Sequence, residues 1–185
     1  MIYSRNWLDI ANRALVKTGN QQIENFTEGA DNVNYINALL PEAVESVAAL
    51  YPWRCMTHRI SLAPSVDVPE FGFTHAFPLP TDFARIVEVD TGNAEWKREA
   101  GKIVTDSEYC NLVYLKLPEE PLDLIPSVRE LITIRLAYNI VQTTTSNSTL
   151  LSQLNNEFQS ALLLAEREDT QGEEDITEYT EDDYR

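Results

Sequence analysis

Two cysteines and two histidines are the residues here best suited to hold a zinc ion: Cys55, His58, His75 and Cys110. Cys55-x-x-His58 resembles half of a zinc site, which His75 and Cys110 could complete. The local pattern argues against it. Residues 53–62, W-R-C-M-T-H-R-I-S-L, read as a strand, and residues three apart on a strand point to opposite faces. Ordinary packing is expected for all four, and no metal. Among the many carboxylates Asp82 stands out. It follows Pro80-Thr81 and precedes Phe83, a place where a carboxylate caps a turn. Trp53 and Trp96 could stack bases, but so few cations flank them that core or interface packing is the better expectation. There is no G-x-G-x-x-G, no phosphate loop and no G-x-S-x-G, and six glycines leave no room for a phosphate cradle. The chain is therefore expected to carry no catalytic residues, no metal and no cofactor, and not to be an enzyme.

Charge narrows the remaining classes. The formal net charge is −16. Nucleic-acid binders gain affinity by neutralising phosphates with Lys and Arg, so a free-standing one is disfavoured, as is docking on anionic membranes. A negative wall past which DNA slides without sticking remains compatible, as does plain solubility. No apolar run is long enough to span a bilayer, and residues 1–7 show no signal-peptide pattern. Two cysteines form no disulfide framework, so a reducing compartment is the default.

The elements that must position these residues divide the chain. Residues 5–18 predict a helix with Ser4 as N-cap and Gly19-Asn20 as its stop. Residues 32–51 predict a second, with Asp31 as N-cap. Its apolar stripe is Ile36, Leu40, Ala43, Val44, Val47, Leu50 and Tyr51, and Pro41 should kink or split it. A β-rich stretch follows, with residues 63–73 as an exposed loop. Pro78 and Pro80 confine the segment from His75 to a sheet edge, bent at Pro80-Thr81-Asp82. Beyond the bend, Arg85, Val87 and Val89 should face one way and Ile86, Glu88 and Asp90 the other. Ala100-Gly101 signals a hairpin, and residues 111–117 form a clean strand. One small antiparallel sheet of four to six strands is expected. Residues 127–143 then predict a helix apolar on nearly two faces, packing on both the sheet and other helices. Residues 149–167 predict a fourth with a single stripe; a short polar break makes the two an antiparallel pair.

The expected fold class is α+β: a mainly helical four-helix unit, residues 1–52 and 118–170, with a β-rich insertion at 53–117. Residues 171–185 hold seven acidic residues against one basic and are expected to be disordered alone. They are either a solvated tail or an arm that orders on a partner with Ile176, Tyr179 and Tyr184 as anchors.

Several short patterns occur in a fixed order. N-x-A-L-x-x-x-G runs from Asn12 to Gly19, and a helix ends in Tyr51-Pro52-Trp53, followed by a strand and Leu62-Ala63-Pro64. An aromatic-rich segment leads to Leu79-Pro80-x-Asp82 and a strand. E-x-x-x-I-x-T-D spans Glu99 to Asp106, and Val113-Tyr114 lies in the next strand. Arg135-Leu136-Ala137 opens the way to a T-x-S-type break and a helix carrying Ala165-Glu166-Arg167-Glu168-Asp169. This order resembles the tail tubular protein A family of short-tailed bacteriophages, the head-to-tail adaptor proteins, over about residues 7–171. The resemblance implies a structural virion protein of the phage neck, assembled in the host cytoplasm. It implies a twelve-subunit ring beneath the portal protein, joined to the tail or nozzle protein, with genomic DNA passing through its channel without sequence-specific binding. The helical part would meet the portal and neighbouring subunits, the β part would face the tail, and the C-terminal segment would reach toward the portal. The main rival is an acidic protein that imitates DNA and inhibits a DNA-binding enzyme.

Overall fold

A computed structural model describes the backbone of residues 5–27 and 31–181, and side chains as far as residue 170. The chain is α+β. It divides into two compact units, Met56–Leu117 forming one and the flanking segments Met1–Cys55 and Pro118–Arg185 the other.

The helical unit contains α1 (Arg5–Lys17), α2 (Asp31–Leu50), α3 (Pro126–Thr144) and α4 (Ser148–Glu181). α3 is central and packs against each of the other three. It buries Val128, Leu131, Ile132, Ile134, Leu136, Ala137, Ile140 and Val141, apolar residues on both faces, as its sequence requires. α1 contributes Trp7, Ile10, Ala11, Ala14 and Leu15; α2 contributes Val33, Ile36, Leu40, Ala43, Val44, Val47 and Ala48. The second stripe ends earlier than its periodicity implies, because Leu50 is half exposed. Helical assignment runs unbroken through Pro41, so α2 does not split there. α1 stops where Gly19 turns left-handed (φ 73°). Asn20 N then donates to Leu15 O and Gly19 N to Val16 O, the paired bonds of a Schellman ending. Asn12 clamps the following loop: its Nδ2 donates to Ile23 O at 2.9 Å and its Oδ1 accepts from Ile23 N at 2.8 Å. At the start of α4, Asn147 Oδ1 accepts from Thr149 N and Leu150 N, an N-cap.

α4 is longer than expected. Nothing between residues 168 and 181 stops a helix: there is no proline, and Gly172 alone costs about 1 kcal/mol. The backbone of residues 171–181, Ile176 and Tyr179 among them, continues α4 as helix. Tyr184 lies outside the described residues.

The inserted unit is built from two three-stranded antiparallel sheets, where one sheet was expected. β1 (Thr57–Ser61), β6 (Asn111–Lys116) and β3 (Phe83–Asp90) form the first, in the order β1-β6-β3. β2 (His75–Pro78), β5 (Lys102–Thr105) and β4 (Trp96–Glu99) form the second, in the order β2-β5-β4. The strand expected from Trp53 is shorter, because residues Arg54–Met56 make a 3-10 turn first. The segment from His75 to Asp90 crosses from one sheet to the other at Pro80-Thr81-Asp82, which is why a single sheet could not hold it. Phe77 and Ile103 of the second sheet close on Leu112 and Tyr114 of the first, with Cys110 buried beside them.

Strict alternation fails on β3. Its pairing with β6 shifts register between Phe83 and Arg85 and again between Ile86 and Glu88. Each bulge inserts one residue and flips the parity beyond it. Phe83, Ile86 and Val89 therefore all pack on the one core cluster, while Val87 is exposed. The β4–β5 hairpin turns on Ala100 (φ 45°) and Gly101 (φ 76°), the two left-handed residues of a type I′ turn.

Candidate interaction surfaces

Of the residues whose types suggested chemistry, Cys110 and Trp53 are buried, Cys55 and His75 half-buried, and His58 and Trp96 exposed. His58 sits edge-on to Tyr114, with ring centroids 5.7 Å apart. His75 lies against Phe77 and its Nδ1 is 3.0 Å from Thr74 Oγ1. Cys110 is fully buried, and that burial pushes its thiol up to about 11. Cys55 is half-buried, and its thiol is also raised, first by burial and further by the charge of Asp169. Both thiols are held protonated and poorly nucleophilic at neutral pH. Among the described residues no group of three or more His, Cys, Asp or Glu is placed to hold a metal ion.

Asp82 does more than end a turn. The turn itself closes through Phe83 N donating to Pro80 O. The Asp82 carboxylate instead accepts from Tyr114 Oη at 3.1 Å and pairs with Lys116 Nζ at 3.4 Å, while its backbone oxygen accepts from Leu117 N. It thus fastens the bend to β6. Burial first, then the Asp82 carboxylate, raises the Tyr114 hydroxyl above its ordinary value, which keeps it a donor. Trp53 is fully buried, donates Nε1–H to Val47 O at 2.8 Å and leans on Tyr51 at 4.9 Å. Trp96 stands partly exposed on β4, an edge strand.

Other residues of the ordered patterns also have structural tasks. Asp106 Oδ1 accepts from Thr74 N and Oγ1, pinning one end of the long loop before β2. The Arg135 guanidinium lies about 6.0 Å from the rings of Tyr138 and Phe158. The Asp169 carboxylate, 7% exposed, accepts from Arg54 N at 3.1 and 3.2 Å. Arg54 Nη1 returns a bond to Asp169 O at 3.3 Å. Burial raises the Asp169 carboxyl and outweighs the opposing pull of Arg54.

What remains unexplained by packing is apolar and exposed. In the helical unit, Leu163 and Leu164 of α4 and Leu122 of the connector before α3 face outward. Leu122 and Leu164 border an open groove of about 500 Å³, where Arg13 and Arg129 are outnumbered by the carboxylates of Asp9, Glu130 and Glu168. Arg13 pairs with Glu130; Lys17 joins Glu130 at 3.2 Å and also Glu157, so α1, α3 and α4 are tied by a chain of charges beside the groove. Burial lowers the Lys17 ammonium, but Glu157 and Glu130 together outweigh it and leave it raised. In the inserted unit, the loop between β1 and β2 exposes Val66, Val68 and Phe71. Sequence reasoning placed that loop at the surface but did not single out its apolar side chains. Their signal was present as three large apolar residues among prolines, where no strand could bury them.

Acidity is unevenly shared. The inserted unit holds nine acidic and six basic residues, the helical unit twenty-one and eight. The expected anchors Ile176 and Tyr179 lie in the last part of α4, beyond the residues whose side chains are described, and Tyr184 lies outside the described residues. No helix among the described residues is long and apolar enough to cross a membrane. No family model matches the sequence, and no characterised protein matches it.

Proposed function

We propose that this chain is a structural subunit of a tailed bacteriophage, a head-to-tail adaptor that packs side by side with its own copies into a ring joining portal to tail. The observation that carries the reading is the presence of two separate exposed apolar surfaces on one chain. One surrounds the α4 groove and the other is the loop before β2. Contiguous apolar patches larger than a few hundred Å² often mark the site of a partner. A closed ring of identical subunits needs two different surfaces that complement each other, a heterologous contact. The ordered short patterns from Asn12 to Asp169 supply the phage assignment. The excess of carboxylates supports passage of DNA, since acids that face a channel repel phosphates. The helical unit, which carries most of that charge, is the part assigned to the portal and to neighbouring subunits, and the inserted unit is assigned to the tail.

Negative-stain electron microscopy of the full chain mixed with assembled portal tests this. Rings capping the portal are expected. A chain that stays monomeric with portal present refutes the reading.

A further inference from the structure

The loop between β1 and β2, residues 62–74, and strand β4 together line an open cleft of about 440 Å³. The loop supplies Glu70, Phe71 and Phe73 to it, and β4 supplies Lys97 and Glu99. The base of the loop is fixed. Ser65 N donates to Ala76 O at 2.7 Å, and Asp106 Oδ1 accepts from Thr74 N at 3.0 Å. Gly72, left-handed at φ 90°, turns the chain between the two phenylalanines. A loop tethered in this way loses little further ordering entropy when a ligand enters.

The two rings differ in what covers them. Lys97 Nζ lies 5.6 Å from the centre of the Phe73 ring and 3.8 Å from Glu95, so one ring of the cleft already carries a cation. Phe71 is 88% exposed, and among the described residues no cation lies over its ring. Glu70 and Glu99 are exposed, and neither makes an ion pair among the described residues. The loop carries Asp67 as well and no cation of its own. The unmet chemistry is an aromatic face beside carboxylates that lack a counter-charge. A guanidinium answers both: its plane stacks on an aromatic ring, and its forked N–H groups reach a carboxylate with two parallel bonds. The phosphates of a nucleic acid or of an anionic bilayer would meet three carboxylates against one ammonium that is already engaged. Val66 and Val68 expose further apolar area on the same loop, which suits an arginine with apolar neighbours in a polypeptide better than a free small cation.

We infer that this cleft receives an arginine side chain of a partner protein. Its guanidinium stacks on Phe71 and is held by Glu70 and Glu99, and the apolar residues beside that arginine lie over Val66 and Val68. The site lies wholly in the inserted unit. It goes beyond the ring reading and holds whether or not copies of the chain form a ring.

Nuclear magnetic resonance titration of the isotope-labelled full chain tests this. The probe is a short capped peptide with one arginine between two valines, at millimolar concentration. It is compared with the same peptide carrying lysine, or citrulline, the uncharged isostere of arginine. Peak shifts are expected at residues 69–73, 97 and 99. Affinity should fall roughly tenfold with citrulline and roughly threefold with lysine. Phe71→Ala, and Glu70→Gln combined with Glu99→Gln, should each weaken binding roughly tenfold, with spectra unchanged elsewhere confirming the fold. Glu42→Gln combined with Glu45→Gln removes the same two charges from exposed positions on α2 and should leave binding unchanged. No shift at the cleft, shifts confined to other carboxylates, or affinity unchanged by Phe71→Ala overturns the inference. So does a citrulline or lysine peptide that binds as tightly as the arginine one. Phosphatidylcholine vesicles that bind the wild type but not Phe71→Ala assign the loop to lipid and overturn it as well. None of these outcomes bears on the ring, which electron microscopy with portal reads separately.

Discussion

Replacing Asp169 distinguishes what its carboxylate does from what its charge costs. The side chain is almost wholly buried and accepts from one backbone donor, Arg54 N, at 3.1 and 3.2 Å. Asp169→Ala removes that acceptor. A hydrogen bond with a charged partner contributes about 1.5–3 kcal/mol, but the ion also gives up hydration, and burial here outweighs the Arg54 bonds. The net loss should therefore be modest, about 1 kcal/mol, a fall of roughly 2–4 °C in the melting temperature of a chain this size. Asp169→Asn keeps an acceptor for Arg54 N and discards the buried charge. Its effect should depend on pH. A carboxyl raised in the folded state favours folding while it is protonated, and that contribution is lost as pH rises through the folded value. Asp169→Asn should thus match the wild type below the ordinary aspartate range and exceed it at pH 7. Cys55 gives a second readout: with the neighbouring charge gone, its thiol should titrate lower, and alkylation should set in at lower pH. Thermal melts at 222 nm between pH 3 and 7, with alkylation rates of Cys55, measure both. An Asp169→Asn chain that is less stable than the wild type at pH 7, by a margin that grows with pH, would show that the ionised carboxylate is net stabilising and that the reasoning from burial is wrong.

Two further substitutions probe local backbone. Ala100→Gly relieves a left-handed alanine, which costs about 1–2 kcal/mol, against a smaller gain in unfolded-chain entropy; urea unfolding of the inserted unit should show a gain of about 0.5–1 kcal/mol. Asn147→Ala removes the acceptor for Thr149 N and Leu150 N and should cost about 1 kcal/mol, read as a lower melting temperature of the helical signal.

The helices were legible because their stripes are long and periodic. α3 is apolar on both sides in sequence and is enclosed by three helices in space. The hairpin was legible from Gly101, which takes a left-handed backbone freely, set between two short strand-like runs, whereas the left-handed Ala100 was not. β3 was not, since two one-residue bulges reassign Phe83, Ile86 and Val89 to one side, and nothing in the alternation of F-A-R-I-V-E-V-D marks an inserted residue. The division into two sheets escaped for a related reason: proline spacing shows that the chain bends, not that each side of the bend finds a different partner. The task of Asp82 depends on Tyr114 and Lys116, more than thirty positions away, a distance over which local pattern carries no information. The candidate surfaces were half legible. Position in a proline-rich loop marks Val66, Val68 and Phe71 as outside, but exposure of Leu163 and Leu164 depends on how α4 is turned against α3.

The strand pairing also dictates a timetable for synthesis. β1 leaves the ribosome early, yet it pairs with β6, which arrives more than fifty residues later, as Thr57 opposite Leu115 shows. β2 waits for β5, and α1 and α2 wait for α3, which is made after the whole insertion. Neither unit can close from its first half, so until about residue 144 has emerged the nascent chain holds two helices with bare apolar faces. Those faces are what a chaperone or an aggregation partner would meet first.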